Sequence, residues 1–112
     1  MNRLMYILLF TVSISFSEII DEAPSPSVDC LILQDENSII CKYEHERMEE
    51  DKSINVQWID PDGNISRERV LLLPAGHGSI YDFRYIDGRE SGIWQFKVID
   101  NEVETSTTFE IE

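Results

Sequence analysis

The stretch S-G-I-W-Q-F-K-V-I-D, which spans residues 91–100, decides the fold. Within it Trp94, Phe96 and Val98 occupy alternate positions, with polar residues between them. A period of two built from aromatic and β-branched residues is typical of a strand with one buried face. Two large aromatic rings and a valine need an apolar surface opposite them, so the rest of the chain is expected to supply further strands.

Six other segments have the composition of strands, and turn-forming residues separate them at intervals of about ten residues. The predicted strands span residues 28–34, 38–43, 54–59, 65–73, 79–86, 91–100 and 103–112. No convincing amphipathic helix interrupts them, so we predict an all-β fold, a seven-stranded antiparallel sandwich. The aligned apolar residues expected in its core are Trp58, Tyr81, Phe83, Trp94, Phe96, Val98 and Phe109.

The composition suits one acidic domain. The chain has 112 residues, with 9 Lys and Arg against 22 Asp and Glu, for a net charge of −13. Its aromatic content distinguishes it from a disordered acidic tail. Nucleic acid and anionic lipid surfaces would both be repelled, so neither is an expected partner. The charge permits cationic partners or divalent metals, although such a surface ordinarily serves solubility.

The first 17 residues are predicted to be a signal peptide. Arg3 gives the positive start, residues 4–14 are mostly apolar, and S-F-S at 15–17 is a small-x-small cleavage pattern. The apolar run is shorter than the roughly 20 residues of a membrane span, and an uncleaved leader is the alternative. Residues 18–27 are predicted to form a linker that contains two prolines, followed by the domain at residues 28–112. A periplasmic or secreted location follows.

Two cysteines, Cys30 and Cys41, suggest a disulfide in an exported chain. If residues 35–36 are central in the intervening turn, Leu33 pairs with Ser38 and the cysteines fall opposite each other. Opposed positions lie about 5 Å apart, near disulfide reach. The alternative is two buried free thiols in a register that differs by one or two residues.

At residues 28–112 the chain resembles an immunoglobulin-like domain, as in bacterial Ig-like and fibronectin-like modules. Cys41 lies in the second strand and Trp58 in the third, where the family places its first core cysteine and its core tryptophan. The sixth strand of the family reads D-x-G-x-Y-x-C, and here residues 90–96 read E-S-G-I-W-Q-F. The resemblance places Trp94 at the corner tyrosine, where its indole N–H would serve a similar role. It places Phe96 at the second cysteine, so Cys41 would pair with the neighbouring strand instead.

The sequence contains three candidate sites for a metal ion or a modification. Residues 60–64, D-P-D-G-N, match the opening of a calcium loop, but Leu71 stands where the bidentate acid belongs, so we predict a hairpin turn. Asn64 begins an N-x-S sequence and is a glycosylation candidate. The loop at residues 44–51 is the third, either solvated or a binder of a divalent ion through Glu44, His45, Glu46, Glu49, Glu50 and Asp51.

No nucleophile-base motif or phosphate cradle is present in the sequence, so we expect neither an enzyme nor a cofactor. The predicted function is a non-catalytic, exported Ig-like binding or structural module of the cell envelope. Its partner would be another envelope or extracellular protein, contacted through the loops at 44–53, 73–79 and 101–102. One alternative is an accessory subunit of a transport or secretion assembly that contacts its partner by strand addition. The other is a small metal-binding protein that uses the loop at 44–51.

Overall fold

The computed structural model describes residues 25–112, so the predicted signal peptide and residues 18–24 of the linker lie outside the described range. The described part is an antiparallel β-sandwich of seven strands in two sheets, which confirms the predicted fold class. No helix among residues 25–112 is long and apolar enough to cross a membrane. The strands are β1 (Ser27–Leu33), β2 (Ser38–Glu44), β3 (Lys52–Ile59), β4 (Ile65–Leu73), β5 (Ser79–Tyr85), β6 (Gly92–Asp100) and β7 (Val103–Ile111).

The strand order gives the sandwich one closed side and one open side. One sheet has the order β1-β2-β5 and the other has the order β4-β3-β6-β7. On the closed side β1 and β7 pack against each other. On the open side the edge strands β4 and β5 face each other, and side chains bridge them. Charged side chains on edge strands discourage pairing with a foreign strand.

The core is built from the inner faces of both sheets around Trp58, which is 0% exposed. Its ring meets Phe96 edge-on at 5.0 Å and Phe109 edge-on at 6.0 Å, the geometry that the quadrupoles of aromatic rings favour. Trp94 and Val98 of β6 are buried beside them, as their alternation predicts. The stretch at residues 91–100 therefore supplies a large part of the core.

The prediction for β5 was wrong: Tyr81 and Phe83 are 59% and 53% exposed and face solvent. Asp82 faces the core instead and is 5% exposed. Its carboxylate accepts a 2.9 Å hydrogen bond from Trp58 Nε1 and a 2.7 Å bond from Arg69 Nη1. A buried carboxylate is tolerated when both of its oxygens have donors, so these bonds allow β5 to turn its aromatic side outward.

The hairpin of β1 and β2 has the predicted register. Leu33 pairs with Ser38 and Cys30 with Cys41, and a disulfide joins the two cysteines. The connection is a 3-10 helix, Gln34–Glu36, closed by Asn37 in the left-handed conformation. The pairing is therefore the one that the turn composition indicates.

The start of β6 is fixed by two local contacts. Trp94 Nε1 donates a 2.7 Å hydrogen bond to the carbonyl oxygen of Glu90, four residues before it. Gly92 has φ +130°, and a Cβ there would lie 2.8 Å from Pro61 Cγ. Only glycine fits this close approach, which ties β6 to the turn at residues 60–64.

Candidate interaction surface

The central rows of the two outer sheet faces differ in chemistry, although the four-stranded sheet also exposes Val70 and Leu72 on its edge strand and Ile93 at the start of β6. Across the four-stranded sheet one row of paired residues is entirely polar: Glu68, Gln57, Lys97 and Ser106. Across the three-stranded sheet the corresponding central row is entirely apolar: Leu31, Ile40 and Phe83. We call the exposed side of the three-stranded sheet the aromatic face, defined by Leu31, Ile40, Tyr81, Phe83 and Tyr85.

The aromatic face is a continuous surface. Leu31, Tyr81 and Tyr85 are 59%, 59% and 61% exposed. The rings of Phe83 and Tyr85 meet edge-on with centroids 6.0 Å apart. A shallow depression of about 340 Å³ lies beside Tyr81, with Ile40 and Lys42 in its wall. Clustered exposed apolar residues of this kind mark interaction sites more often than isolated ones do.

A second depression continues from the aromatic face into the open side between β4 and β5. Its volume is about 240 Å³, and we call it the arginine groove. It contains four of the nine basic residues of the chain. The groove is lined by Arg67, Arg69, Phe83, Arg84, Tyr85, Asp87 and Arg89.

Arg84 forms the floor of this groove. It is 8% exposed, and its guanidinium lies over the rings of Trp58 and Trp94, at 5.6 and 6.0 Å from their centroids. Its Nη1 donates a 3.1 Å hydrogen bond to Ser66 Oγ across the open side. Burial, followed by the charges of Arg89 and Arg67, lowers the pKa of Arg84 to about 10. The group therefore stays charged at neutral pH, held by the faces of two aromatic rings.

The loop at residues 44–51 does not gather the predicted metal ligands. Among the described residues its acids and His45 do not form a group of three within ligand distance. Asp51 Oδ1 instead accepts the backbone N–H of Ala75 at 2.8 Å, and His45 Nδ1 lies 2.7 Å from the carbonyl oxygen of Glu46. These polar groups shape the loop, while Glu44, Glu46, Glu49 and Glu50 are exposed.

Carboxylates do converge at the turn of residues 60–64. Atoms of Asp60, Asp62 and Glu90 lie within 4.8 Å of one another. The pKa of Glu90 is raised, chiefly by the charge of Asp62, and then by burial and Asp60. Asp60 Oδ1 also accepts the backbone N–H groups of Asp62 and Asn64, at 3.0 and 2.9 Å. These bonds close the predicted hairpin turn and leave Asn64 exposed at its end.

Sequence reasoning missed both the aromatic face and the arginine groove. In the segment I-Y-D-F-R-Y at residues 80–85, either the odd-numbered or the even-numbered residues could face the core. The odd-numbered residues are all aromatic, so hydrophobicity favours placing them inside. A usable signal was present in β4, where Arg67 and Arg69 are two residues apart and so share a face.

Comparisons of this chain with protein-family models, with curated proteins and with solved structures found no match.

Proposed function

We propose that this protein is an exported, non-catalytic binding module of the cell envelope that contacts another envelope or extracellular protein through its aromatic face. The contrast between the central rows of the two outer sheet faces carries this proposal. In a sandwich the outer face of each sheet meets water and is usually polar. An exposed apolar row of Leu31, Ile40 and Phe83 departs from this rule, and a partner that covers the row would explain it. Tyrosine and phenylalanine are enriched where proteins bind one another.

An immunoglobulin-like identity is part of this proposal. The order β1-β2-β5 against β4-β3-β6-β7 supports it, because strands three, six and seven share one sheet as in an Ig-type sandwich and the fourth extends that sheet beside strand three, as an added strand does in variable-type domains. The buried Trp58 on the third strand and the bond from Trp94 to Glu90 support the same assignment. Folds of this kind commonly bind partners through edge strands and end loops.

Export is supported by the cysteine chemistry. The disulfide between Cys30 and Cys41 is a cross-link that persists in oxidising compartments such as the periplasm or the outside of the cell. The signal peptide predicted at residues 1–17 would give the same location. The loops at 44–53, 73–79 and 101–102 are weaker candidates for the contact surface than the aromatic face, because they carry few exposed apolar groups: Met48 is the large exposed one.

A site-specific photo-cross-linker tests the aromatic face. We expect the cross-linker at position 81 to give a discrete adduct in the native host, and Phe83→Ser to reduce that adduct at least tenfold. Position 95, on the outer face of the other sheet, is the matched control and is expected to give none. Adducts of equal yield from positions 81 and 95, or an adduct formed from position 48 alone, contradict the proposal.

Membership in an envelope transport or secretion assembly is the second candidate. The observation that favours it is that β4 and β5, both edge strands, lie together on the open side and offer backbone groups for strand addition. A partner recovered in a fixed stoichiometric complex, as opposed to a transient one, would distinguish this function. Metal binding at residues 44–51 has less support, because their ligand atoms do not converge among the described residues.

Glycosylation of Asn64 stays a prediction with its own test. The side chain lies exposed at the end of a closed turn, which is accessible to a transferase. In a host that has the N-linked machinery, we expect the native protein to carry a glycosidase-sensitive mass that Asn64→Gln abolishes. An unmodified native mass in such a host would refute it.

A further inference from the structure

The arginine groove concentrates positive charge on a strongly acidic protein. All three lysines have a carboxylate within 4.0 Å, namely Lys42 with Glu44, Lys52 with Asp100 and Lys97 with Glu104. In the groove, Arg69 alone has such a partner among residues 25–112, at 2.7 Å from Asp82. Arg67, Arg84 and Arg89 have none in that range, although the chain contains 22 acidic residues. Three of the four arginines that have no carboxylate partner among residues 25–112 therefore lie in one place; the fourth, Arg47, donates to the carbonyl oxygen of Gly76 at 2.8 Å.

Protection of the sheet edge does not account for all of these arginines. Inward-pointing charges on edge strands discourage unwanted pairing, and the bond from Arg69 to Asp82 serves that purpose. Burial and then the charges of Arg89 and Arg67 lower the pKa of Arg84. The arginines of the groove therefore repel one another, and Asp82, which acts on this pKa in the opposite direction, offsets part of that repulsion. The Nε–H of Arg89 is also buried without an acceptor among the described residues. An anion in the groove would relieve both the repulsion and the unsatisfied donor.

We propose that the arginine groove binds a short acidic segment of a partner protein in an extended conformation, with its carboxylates on Arg67, Arg84 and Arg89. This inference rests on the proposed function as a binding module and names the chemistry of the partner. Guanidinium groups bind carboxylates with paired hydrogen bonds. Side chains on one face of an extended chain repeat at roughly 7 Å, so alternate acids of one segment would reach different arginines of the groove.

The walls of the groove favour a peptide over a small ion. Both walls are edge strands, and their arginines discourage a neutral or basic strand but not an acidic one, so the backbone of an extended acidic segment has unpaired groups to meet. Phe83 and Tyr85 line the same groove and also belong to the aromatic face, so apolar side chains between the acids have a surface to contact. The segment would therefore continue from the groove onto the proposed interaction surface.

The overall charge argues against a long polyanion. With a net charge of −13, the surface beyond the groove repels any chain that carries negative charge along its whole length. Screening at physiological salt limits this repulsion to about 8 Å, so a short segment feels mainly the arginines. A short acidic peptide fits this charge distribution better than nucleic acid or a sulfated polysaccharide does.

Titration of the ¹⁵N-labelled protein with a blocked peptide of alternating glutamate and valine tests the proposal. We expect shifts at the amides of Arg67, Arg69 and Arg89 and weaker binding at higher salt. The double variant Arg67→Gln, Arg89→Gln should lower the affinity at least tenfold. The double variant Lys52→Gln, Lys97→Gln has the same charge change on β3 and β6, away from both the groove and the aromatic face, and should change the affinity less than twofold. Both variants are checked for an unchanged melting temperature, and Arg84 is left intact because it packs on the core.

Four outcomes overturn the acidic-segment inference: no binding, shifts centred outside the groove, equal binding of the peptide with glutamine in place of glutamate, and tighter binding of inorganic phosphate or a heparin tetrasaccharide. The cross-link from position 81 tests the proposed function separately. If the peptide fails while that cross-link persists, the binding module stands and its partner is not recognised through an acidic segment.

Discussion

Trp58→Ala is expected to lower the free energy of unfolding by about 4 kcal/mol, the largest effect of any single substitution considered. The side chain is 0% exposed and packs edge-on against Phe96 and Phe109, so its removal leaves a cavity between the sheets. It also removes the donor to the buried carboxylate of Asp82 and one of the two rings that face Arg84. Packing and polar terms therefore act in the same direction.

Urea unfolding followed by circular dichroism measures this effect. A domain of this size has a total stability of roughly 5–10 kcal/mol, so poor accumulation of Trp58→Ala is also expected. Trp58→Phe keeps most of the ring and deletes the N–H, and it should cost about 1–3 kcal/mol through the unsatisfied Asp82. Tyr81→Ala is the control on the exposed side of β5 and should cost less than about 1 kcal/mol. If Trp58→Ala unfolds at the same urea concentration as the parent, the assigned core is wrong.

Loss of the disulfide is expected to have the second largest effect, about 2.5–3 kcal/mol in the double variant Cys30→Ala, Cys41→Ala. The two cysteines are 11 residues apart, so the cross-link removes the freedom of a short closed loop from the unfolded chain. Cys41 is 0% exposed in the core, and small alanine side chains there add a modest packing loss.

Thiol labelling and unfolding in the presence of reductant check this prediction. The denatured, unreduced parent should show no free thiol, and reduction should lower its unfolding midpoint to near that of the double alanine variant. The double variant itself should not respond to reductant, which controls for other effects of the reagent. Two labelled thiols in the unreduced parent, or a midpoint unaffected by reduction, would refute the assignment.

The strands and the first hairpin could be predicted because their determinants are local. Alternation in residues 91–100 sets the face of β6, and the turn at residues 34–37 sets the register that pairs Cys30 with Cys41. Each predicted strand boundary lies within two residues of the observed one. Such features depend on neighbours in sequence, which the sequence displays directly.

The face of β5 and the arginine groove depend on residues far apart in sequence. Asp82 can face the core only because Trp58 and Arg69, on two other strands, donate to its carboxylate. Both donors belong to the other sheet, so they cannot be assigned to Asp82 from the sequence before the packing of the two sheets is known. The groove likewise joins Arg67 to Arg89 across the open side, and no pattern within one strand signals that meeting.

The position of the disulfide has a consequence for a domain held by its N-terminal end. A pulling force applied through the linker enters at Ser27 and reaches β1 first. Because Cys30 is bonded to its opposite residue on β2, the hairpin cannot be unzipped past that pair, and the load passes to the contact between β1 and β7. The disulfide also keeps the segment between Cys30 and Cys41, which are 11 residues apart, as a closed loop when the chain is stretched. This loop cannot extend, so the fully stretched protein is shorter by roughly 35–40 Å.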